Sequence, residues 1–222
     1  MAVQPFANPS ANASLPPPSA SAAVTLETVL LREMDHRIKN VLATVQAIMT
    51  TTIRNATSLQ DFETSFSNRL LALSKTQSLL TLNRQESALL SEMLDNELSV
   101  YEDGDPRRIS CAGPPTQIPG HLAMLVGMAL HELTTNAAKY GALHTPAGQL
   151  AVRWTVAKDI LHLEWVERGI PDARPPQTAG FGTQLLTRIL PGQTQSEVTL
   201  AYTADGLYAR LLIPLKAPPP EL

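Results

Sequence analysis

The chain has 222 residues, of which 44% are hydrophobic, and its formal net charge is −3. That length suits one or two small domains with buried cores, and the lack of a long basic stripe argues against a nucleic acid partner. No apolar run reaches the roughly 20 residues of a membrane span, and no signal peptide pattern opens the sequence. Cys111 is the single cysteine, which is typical of a reducing compartment. We therefore expect a cytoplasmic protein with neither a nucleic acid nor a membrane partner.

Glycine and proline divide the chain into two regions. Neither occurs between Ser19 and Asp103, whereas all 11 glycines and 13 of the 18 prolines lie beyond that point. Both residues disfavour helix interiors, so the first region is expected to be helical and the second to have the turns of an α+β domain. Residues 1–24, rich in Ala, Ser and Pro, are expected to be a disordered arm, and residues 217–222 a disordered tail.

Two amphipathic helices are predicted within residues 25–83. The first begins after Thr25 and runs to about Asn55, and the second begins at Ser58, where Asp61 completes a capping-box pattern. The apolar positions, spaced mainly by three and four residues, are Leu30, Met34, Ile38, Val41, Val45 and Ile48, then Phe62, Phe66, Leu70, Leu73 and Leu80. The helices are expected to form an antiparallel hairpin, and two copies of it a four-helix bundle, so we expect a homodimer.

A mixture of helices and strands is predicted for residues 84–216. The predicted helices span residues 87–101, 119–140 and 183–189, and the predicted strands span 107–112, 149–156, 160–167, 198–202 and 207–214. Asp205 and Gly206 predict a hairpin turn between the last two strands. Antiparallel strands covered on one side by helices form a two-layer α/β sandwich.

The first chemical signal is His36 in the first helix. It lies opposite the apolar stripe and shares its flank with Lys39 and Asn40. An exposed neutral imidazole is nucleophilic at cell pH, and Arg37 or Lys39 could offset the charge of a transferring phosphoryl group. A surface histidine without a role is the alternative, and this residue alone does not decide between them.

A second signal lies in the helix predicted at 119–140. Glu132, Asn136 and Lys139 fall at steps of four and three residues, so they share one helical face. An Asn amide oxygen is a hard ligand of the kind Mg²⁺ takes, and Lys139 can neutralise phosphate charge. The alternative is an ordinary solvated helix face.

Two further signals follow along the chain. Alternation places Glu167 at the end of an apolar strand face that includes Trp165, where its carboxylate could accept a hydrogen bond from an adenine amino group. Gly180 and Gly182 precede the helix predicted at 183–189, and glycines let a backbone approach phosphates. A strand-end carboxylate in water and an ordinary loop are the alternatives.

The order of these motifs resembles the HWE family of bacterial sensor histidine kinases, which is named for a His beside its Asn motif and for Trp-x-Glu. The chain has His131 in the run His-Glu-Leu-Thr-Thr-Asn-Ala-Ala-Lys-Tyr-Gly-Ala-Leu, and it has Trp165 and Glu167. The resemblance covers nearly all of the sequence between the two tails. It implies a dimerisation and histidine phosphotransfer hairpin at 25–83 and a Bergerat-type ATP-binding domain at 84–216.

The resemblance also implies roles for individual residues. His36 would be the phosphoacceptor, Asn136 would chelate Mg²⁺, and Glu167 would hold the adenine. Glu132 stands where related ATPases keep a general base. The other residues that we assign to catalysis are Arg37, Lys39 and Asn40. The remaining nucleotide-binding residues in these motifs are His131, Lys139, Tyr140, Trp165, Gly169, Gly180, Phe181, Gly182 and Thr183.

The expected activity is ATP-dependent autophosphorylation of His36, followed by transfer of the phosphoryl group to an Asp of a response-regulator receiver domain. One departure is Ile170, which stands where the family pattern after Trp-x-Glu has a glycine. We expect this β-branched residue to narrow the adenine pocket or to restrict the backbone there. A phosphotransfer hub that does not use ATP is therefore the alternative, and a simple ATPase without protein phosphorylation is a third.

Overall fold

The computed structural model describes residues 35, 38–39, 41–54, 56–82, 87–105, 107–171, 173–175 and 180–216. The chain divides into two compact units, Met1–Val45 and Gln46–Leu222. The predicted arm and tail, like Leu30 and Met34 of the first apolar stripe, lie outside the described residues. Across the ranges that are described, each helix is too short or too polar to cross a bilayer.

Helices and strands are mixed along the chain after an initial pair of helices. In chain order they are α1 (residues 41–54), α2 (Leu59–Leu82), β1 (Ser87–Leu89), α3 (Leu90–Leu98), β2 (Ile109–Ala112), β3 (Gln117–Pro119), α4 (Gly120–Tyr140), β4 (Gln149–Ala157), β5 (Ile160–Arg168), α5 (Phe181–Gln184), α6 (Leu190–Thr194), β6 (Glu197–Thr203) and β7 (Gly206–Pro214). A 3₁₀ turn follows α3 at Ser99–Tyr101, and a π-helical turn at Leu185–Ile189 joins α5 to α6.

Helix α2 begins at the predicted capping site. The Ser58 hydroxyl accepts a hydrogen bond from the Asp61 backbone N–H at 3.1 Å, and the Asp61 carboxylate accepts one from the Thr57 N–H at 2.9 Å. These bonds satisfy N–H groups that have no partner within the helix, and the bond from the Thr57 N–H lowers the pKa of Asp61. The stripes are partly buried as expected, with Ile48 and Leu73 in the core.

The region predicted as a helix over 87–101 is only partly helical. Its first three residues form β1, which pairs antiparallel with β3, and α3 starts only at Leu90, whose N–H donates to the Thr116 carbonyl. A strand of three residues is too short to have a periodicity of its own, and its partner β3 lies about 30 residues away along the chain. The pairing therefore overrides the local helical preference.

The main sheet has five strands in the order β2-β4-β5-β7-β6. Strands β2 and β4 are parallel, and the other neighbours are antiparallel. Lys158 and Asp159 both have positive φ, 51° and 60°, as a two-residue hairpin turn between β4 and β5 requires. The predicted second hairpin is present, and its turn falls on Ala204 and Asp205, one residue earlier than expected.

One face of the sheet is covered by helices. Alternate residues of β5 are buried, namely Leu161, Leu163, Trp165 and Glu167, which matches the predicted inward face. In β4 the same alternation ends early, because Val156 is 41% exposed. Twelve of the 21 residues of α4 are buried, which is typical of a helix enclosed by neighbours on more than one side.

Helix α2 packs directly against α4. A Cβ atom at Gly127 would lie only 2.3 Å from the Thr76 hydroxyl oxygen, so the Thr76 side chain of α2 lies directly against the α4 backbone at Gly127. Nearby, Gln77 of α2 contacts the Met124 sulfur at 4.0 Å. The second helix of the hairpin therefore lies against the helix that carries the Asn motif.

Candidate functional site

Glu167 is a buried carboxylate with two partners. The residue is the last but one of β5, and it is only 3% exposed. The Trp165 indole N–H donates to Oε1 at 3.0 Å, and the Ala142 backbone N–H donates to Oε2 at 2.8 Å. Burial raises the pKa of Glu167, against the opposing effect of the two hydrogen bonds. The alternative of a strand-end carboxylate in water is therefore wrong, and a carboxylate with two such bonds keeps acceptor capacity for a ligand.

The segment after α4 needs a glycine to reach this carboxylate. A Cβ at Gly141 would lie 2.0 Å from the Glu167 Oε2 atom, so no larger residue fits while the contact with Ala142 is kept. This explains the Gly-Ala pair that closes the Asn motif. The sequence pattern predicted the carboxylate but not the backbone N–H that holds it.

The acidic and amide groups of α4 lie against the glycine turn. A Cβ at Gly182 would lie 2.7 Å from Glu132 Oε2 and 3.4 Å from Asn136 Nδ2. Glu132 is only 5% exposed, so the reading of a solvated helix face is wrong for it. The structure thus brings together four predicted residues, Glu132, Asn136, Phe181 and Gly182.

Arg69 of α2 joins this cluster, and the sequence reading missed it. Its Nε donates to Glu132 Oε1 at 2.8 Å, and its Nη2 lies 3.5 Å from Oε2. Its guanidinium carbon sits 4.5 Å from the centroid of the Phe181 ring. A signal was present, because Arg69 falls on the apolar stripe three residues after Phe66 and four before Leu73, where an arginine requires a buried partner.

His131 faces another helix. Its Nδ1 lies 2.7 Å from the Glu97 Oε2 of α3, and both side chains are largely buried. The described contact of this histidine is therefore with α3, and its assignment to the nucleotide site stays a prediction. Lys139 and Tyr140 are exposed at the end of α4, and Thr183 is half-buried in α5.

The segment after Glu167 is held by the last hairpin turn. Gly169 has φ of +73°, a conformation that favours glycine. Its N–H donates to the Asp205 side chain at 3.2 Å, and the Ile170 N–H donates to the Asp205 carbonyl at 3.0 Å. Ile170 is buried, and its φ is not positive, so its β-branched side chain stands there without backbone strain.

The predicted phosphoacceptor region is described only in part. His36, Arg37 and Asn40 lie outside the described residues. Asp35 and Lys39 are helical and exposed, and they form an ion pair one turn apart. Such a pair leaves the lysine ammonium in water, and its predicted role toward a phosphoryl group stays a prediction.

Residues 33–115 match the family model for HWE histidine kinases. This part of the chain is therefore similar to the HWE histidine kinases. A blue-light-activated histidine kinase of Brucella anthropi is 33% identical over 195 residues, which cover 86% of this chain and 40% of that protein. The protein of the same name from Brucella ovis is 30% identical over 193 residues, which cover 85% and 40%. The chain therefore spans about two fifths of the length of these relatives.

Solved histidine kinases share the fold of this chain. The blue-light activated histidine kinase EL346 of Erythrobacter litoralis superposes with a TM-score of 0.62 at 18% identity, covering 82% of this chain and 60% of that one. The histidine kinase domain of the same protein gives a TM-score of 0.54 at 15% identity, covering 79% and 94%. The predicted α+β fold of the Bergerat type is confirmed.

Adding a methyl group at Gly182 should destabilise the protein, whereas adding one at Gly180 should not. In Gly182→Ala the new Cβ meets Glu132, whose carboxylate cannot retreat without breaking its contact with Arg69. A Cβ at Gly180 has nothing within 4 Å. We expect urea unfolding to show a loss of about 1–3 kcal/mol for Gly182→Ala and a change within about 0.5 kcal/mol for Gly180→Ala. Equal effects would contradict the close approach.

Glu167→Gln should change the pH dependence of stability. Because burial raises the pKa of Glu167 above its ordinary value of 4.5, the native state binds more protons than the unfolded chain between the two pKa values. The stability that Glu167 contributes is fully present below the unfolded pKa and is lost as pH rises through the folded pKa. The unfolding free energy of the wild type minus that of Glu167→Gln, measured by urea titration at increasing pH, should therefore fall. A flat or rising difference would exclude a raised pKa.

Proposed function

We propose that the chain is a protein histidine kinase that uses ATP and Mg²⁺ to phosphorylate its own His36. The main support for this proposal is a pair of buried carboxylates, Glu132 on α4 and Glu167 on β5. The glycine turn at Gly182 lies directly against the first of them. Kinship with histidine kinases supports the same activity. The phosphoryl group would then pass to an Asp of a response-regulator receiver domain.

The side chains fit a nucleotide with Mg²⁺. Asn136 offers an amide oxygen of the kind that Mg²⁺ binds, and it is half-buried next to Gly182, whose missing Cβ leaves the backbone close by. Glu167 has acceptor capacity left for an adenine amino group. Lys139 is free to turn toward phosphate, since it is exposed at the end of α4. When bound, ATP·Mg²⁺ supplies the phosphoryl group and offsets part of its charge.

The protein residues contribute nucleophilicity and positioning. In the proposal, the neutral imidazole of His36 attacks the γ-phosphorus of ATP in line, a P–N bond forms as the bond to the ADP oxygen breaks, and ADP leaves. Arg37, Lys39 and Asn40 lie beside His36 in the sequence. Glu132 acts as a general base or orients the groups around the nucleophile. We further propose that residues 25–83 form the phosphotransfer hairpin and 84–216 the ATP-binding domain.

The hairpin also supports a proposed homodimer. Large apolar side chains are exposed along both of its helices in the single chain. They are Ile38, Leu42, Met49, Ile53 and Leu71. Burying them against a second hairpin would complete the four-helix bundle. Blue-light activation belongs to the named relatives, and the proposal here concerns the kinase part that they share with this chain.

Incubation with γ-³²P-labelled ATP and Mg²⁺ tests the phosphoacceptor. The wild type should gain a label that is labile in acid and stable in base, as a phosphoramidate is, and His36→Ala should gain none. His121→Ala removes an exposed histidine of α4 and is the matched control, which should be labelled like the wild type.

The same assay separates the alternatives. A label retained by His36→Ala would overturn the assignment of His36. Phosphate release that is unchanged by His36→Ala, with no labelled protein, would indicate a simple ATPase. A wild type that neither binds ATP nor gains label would indicate the phosphotransfer hub.

A further inference from the structure

Arg69 touches more separate elements than any ion-pairing residue described above. From α2, its Nη1 donates to the Thr52 hydroxyl of α1 at 2.9 Å, while its Nε and Nη2 face the Glu132 carboxylate of α4. Thr52 in turn donates to the Ile48 carbonyl at 2.6 Å, so it is fixed to α1. The flat side of the guanidinium covers the Phe181 ring of α5.

The contact between Arg69 and Glu132 is a buried ion pair. The two side chains are 17% and 7% exposed. At such burial, removing one charge leaves the other without compensation, so the pair constrains both residues far more than a surface pair does. The guanidinium fork also fixes the direction of the carboxylate, because both of its oxygens face N–H donors.

The two groups that Arg69 fixes belong to the proposed nucleotide site. Glu132 lies against Gly182 and one helical turn before Asn136, and Phe181 immediately precedes Gly182. No contact of Arg69 with the adenine-side residue Glu167 is described, and its three described hydrogen bonds all go to protein groups. We therefore expect Arg69 to act on the reaction through Glu132 and Phe181.

We propose that Arg69 is a positioning residue, through which the hairpin sets the orientation of the Glu132 carboxylate and the Phe181 ring for phosphoryl transfer. This inference rests on the proposed kinase function. It makes the geometry at the Asn motif depend on a side chain that comes from the hairpin. The hairpin thus influences the geometry of the nucleotide site, in addition to carrying the histidine that accepts the phosphoryl group.

The autophosphorylation kinetics of five variants of the 222-residue chain test the proposal. They are Arg69→Gln, Arg69→Lys, Glu132→Gln, the double variant Arg69→Gln with Glu132→Gln, and Arg54→Gln as the control, which removes an exposed arginine from α1. Arg69→Gln should lower kcat at least about tenfold while KM for ATP changes less than about threefold. Arg69→Lys keeps the charge without the fork and should recover part of kcat, whereas Arg54→Gln should match the wild type.

Non-additivity identifies the route through Glu132. If Arg69 acts through this carboxylate, the double variant should be no slower than the slower single variant. Independent, multiplied losses would overturn the proposal, and so would a kcat of Arg69→Lys and Arg69→Gln equal to that of Arg54→Gln. Should Arg69→Gln fail to fold, Arg69→Lys decides alone: a fall in kcat at unchanged KM supports the proposal, and wild-type kcat overturns it.

A second readout separates this inference from the proposed function. If the wild type gains no label, the kinase proposal fails, and amide hydrogen exchange then decides the role of Arg69. Arg69→Lys should speed exchange in residues 128–136 and 181–190 relative to Arg54→Gln, because both segments lose their anchor. Equal exchange in the two variants would overturn the positioning role whatever the activity.

Discussion

Among the described residues of this small domain, the carboxylates of Glu132 and Glu167 are buried, and neither can lie there without partners. A buried charge that lacks compensation costs more free energy than a domain of this size can spare. Glu132 meets this constraint with the Arg69 guanidinium, and Glu167 meets it with the Trp165 indole and the Ala142 backbone. The elements around the candidate site place these donors within hydrogen-bond distance of the two carboxylates.

The constraint explains the spacing of the motifs. On a strand, residues i and i+2 share a face, so a Trp two positions before a Glu can place its indole N–H on the carboxylate. Trp165 is fully buried, and a phenylalanine would pack there without a donor. Gly141 and Gly182 follow the same logic, since each stands where a Cβ would collide with one of the two carboxylates. The Trp-x-Glu motif therefore supplies a buried acid and its donor, and the two glycines leave the space that the acids need.

The sequence was sufficient for features that depend on local order. Alternation predicted β4 and β5 nearly to the residue, and the Ser58 cap predicted the start of α2. The inward direction of Glu167 followed from the same alternation. Pairings between distant residues could not be predicted, because periodicity contains no information about them. Arg69 and Glu132 are 63 positions apart, and β1 finds its partner only through the fold.

The ambiguous cases were resolved by burial. A Glu on a helix and a Glu at a strand end each had an ordinary solvated reading, and both readings fail because the side chains are enclosed. His131 is a different case: its motif predicts a place in the nucleotide site, which stays a prediction, and its described contact is with Glu97 of α3. A residue of the Asn motif can therefore also connect two helices, as His131 connects α4 to α3.

Nucleotide-dependent stabilisation tests most directly whether the α4 and β5 residues form an ATP site. The unfolding midpoint of the wild type should rise with ATP and Mg²⁺, by the equivalent of about 2.7 kcal/mol at a hundredfold excess over Kd. Asn136→Ala should lose that rise, while Asn96→Ala, which removes an exposed Asn of α3, should keep it. No rise in the wild type, or an equal rise in Asn136→Ala, would contradict the account.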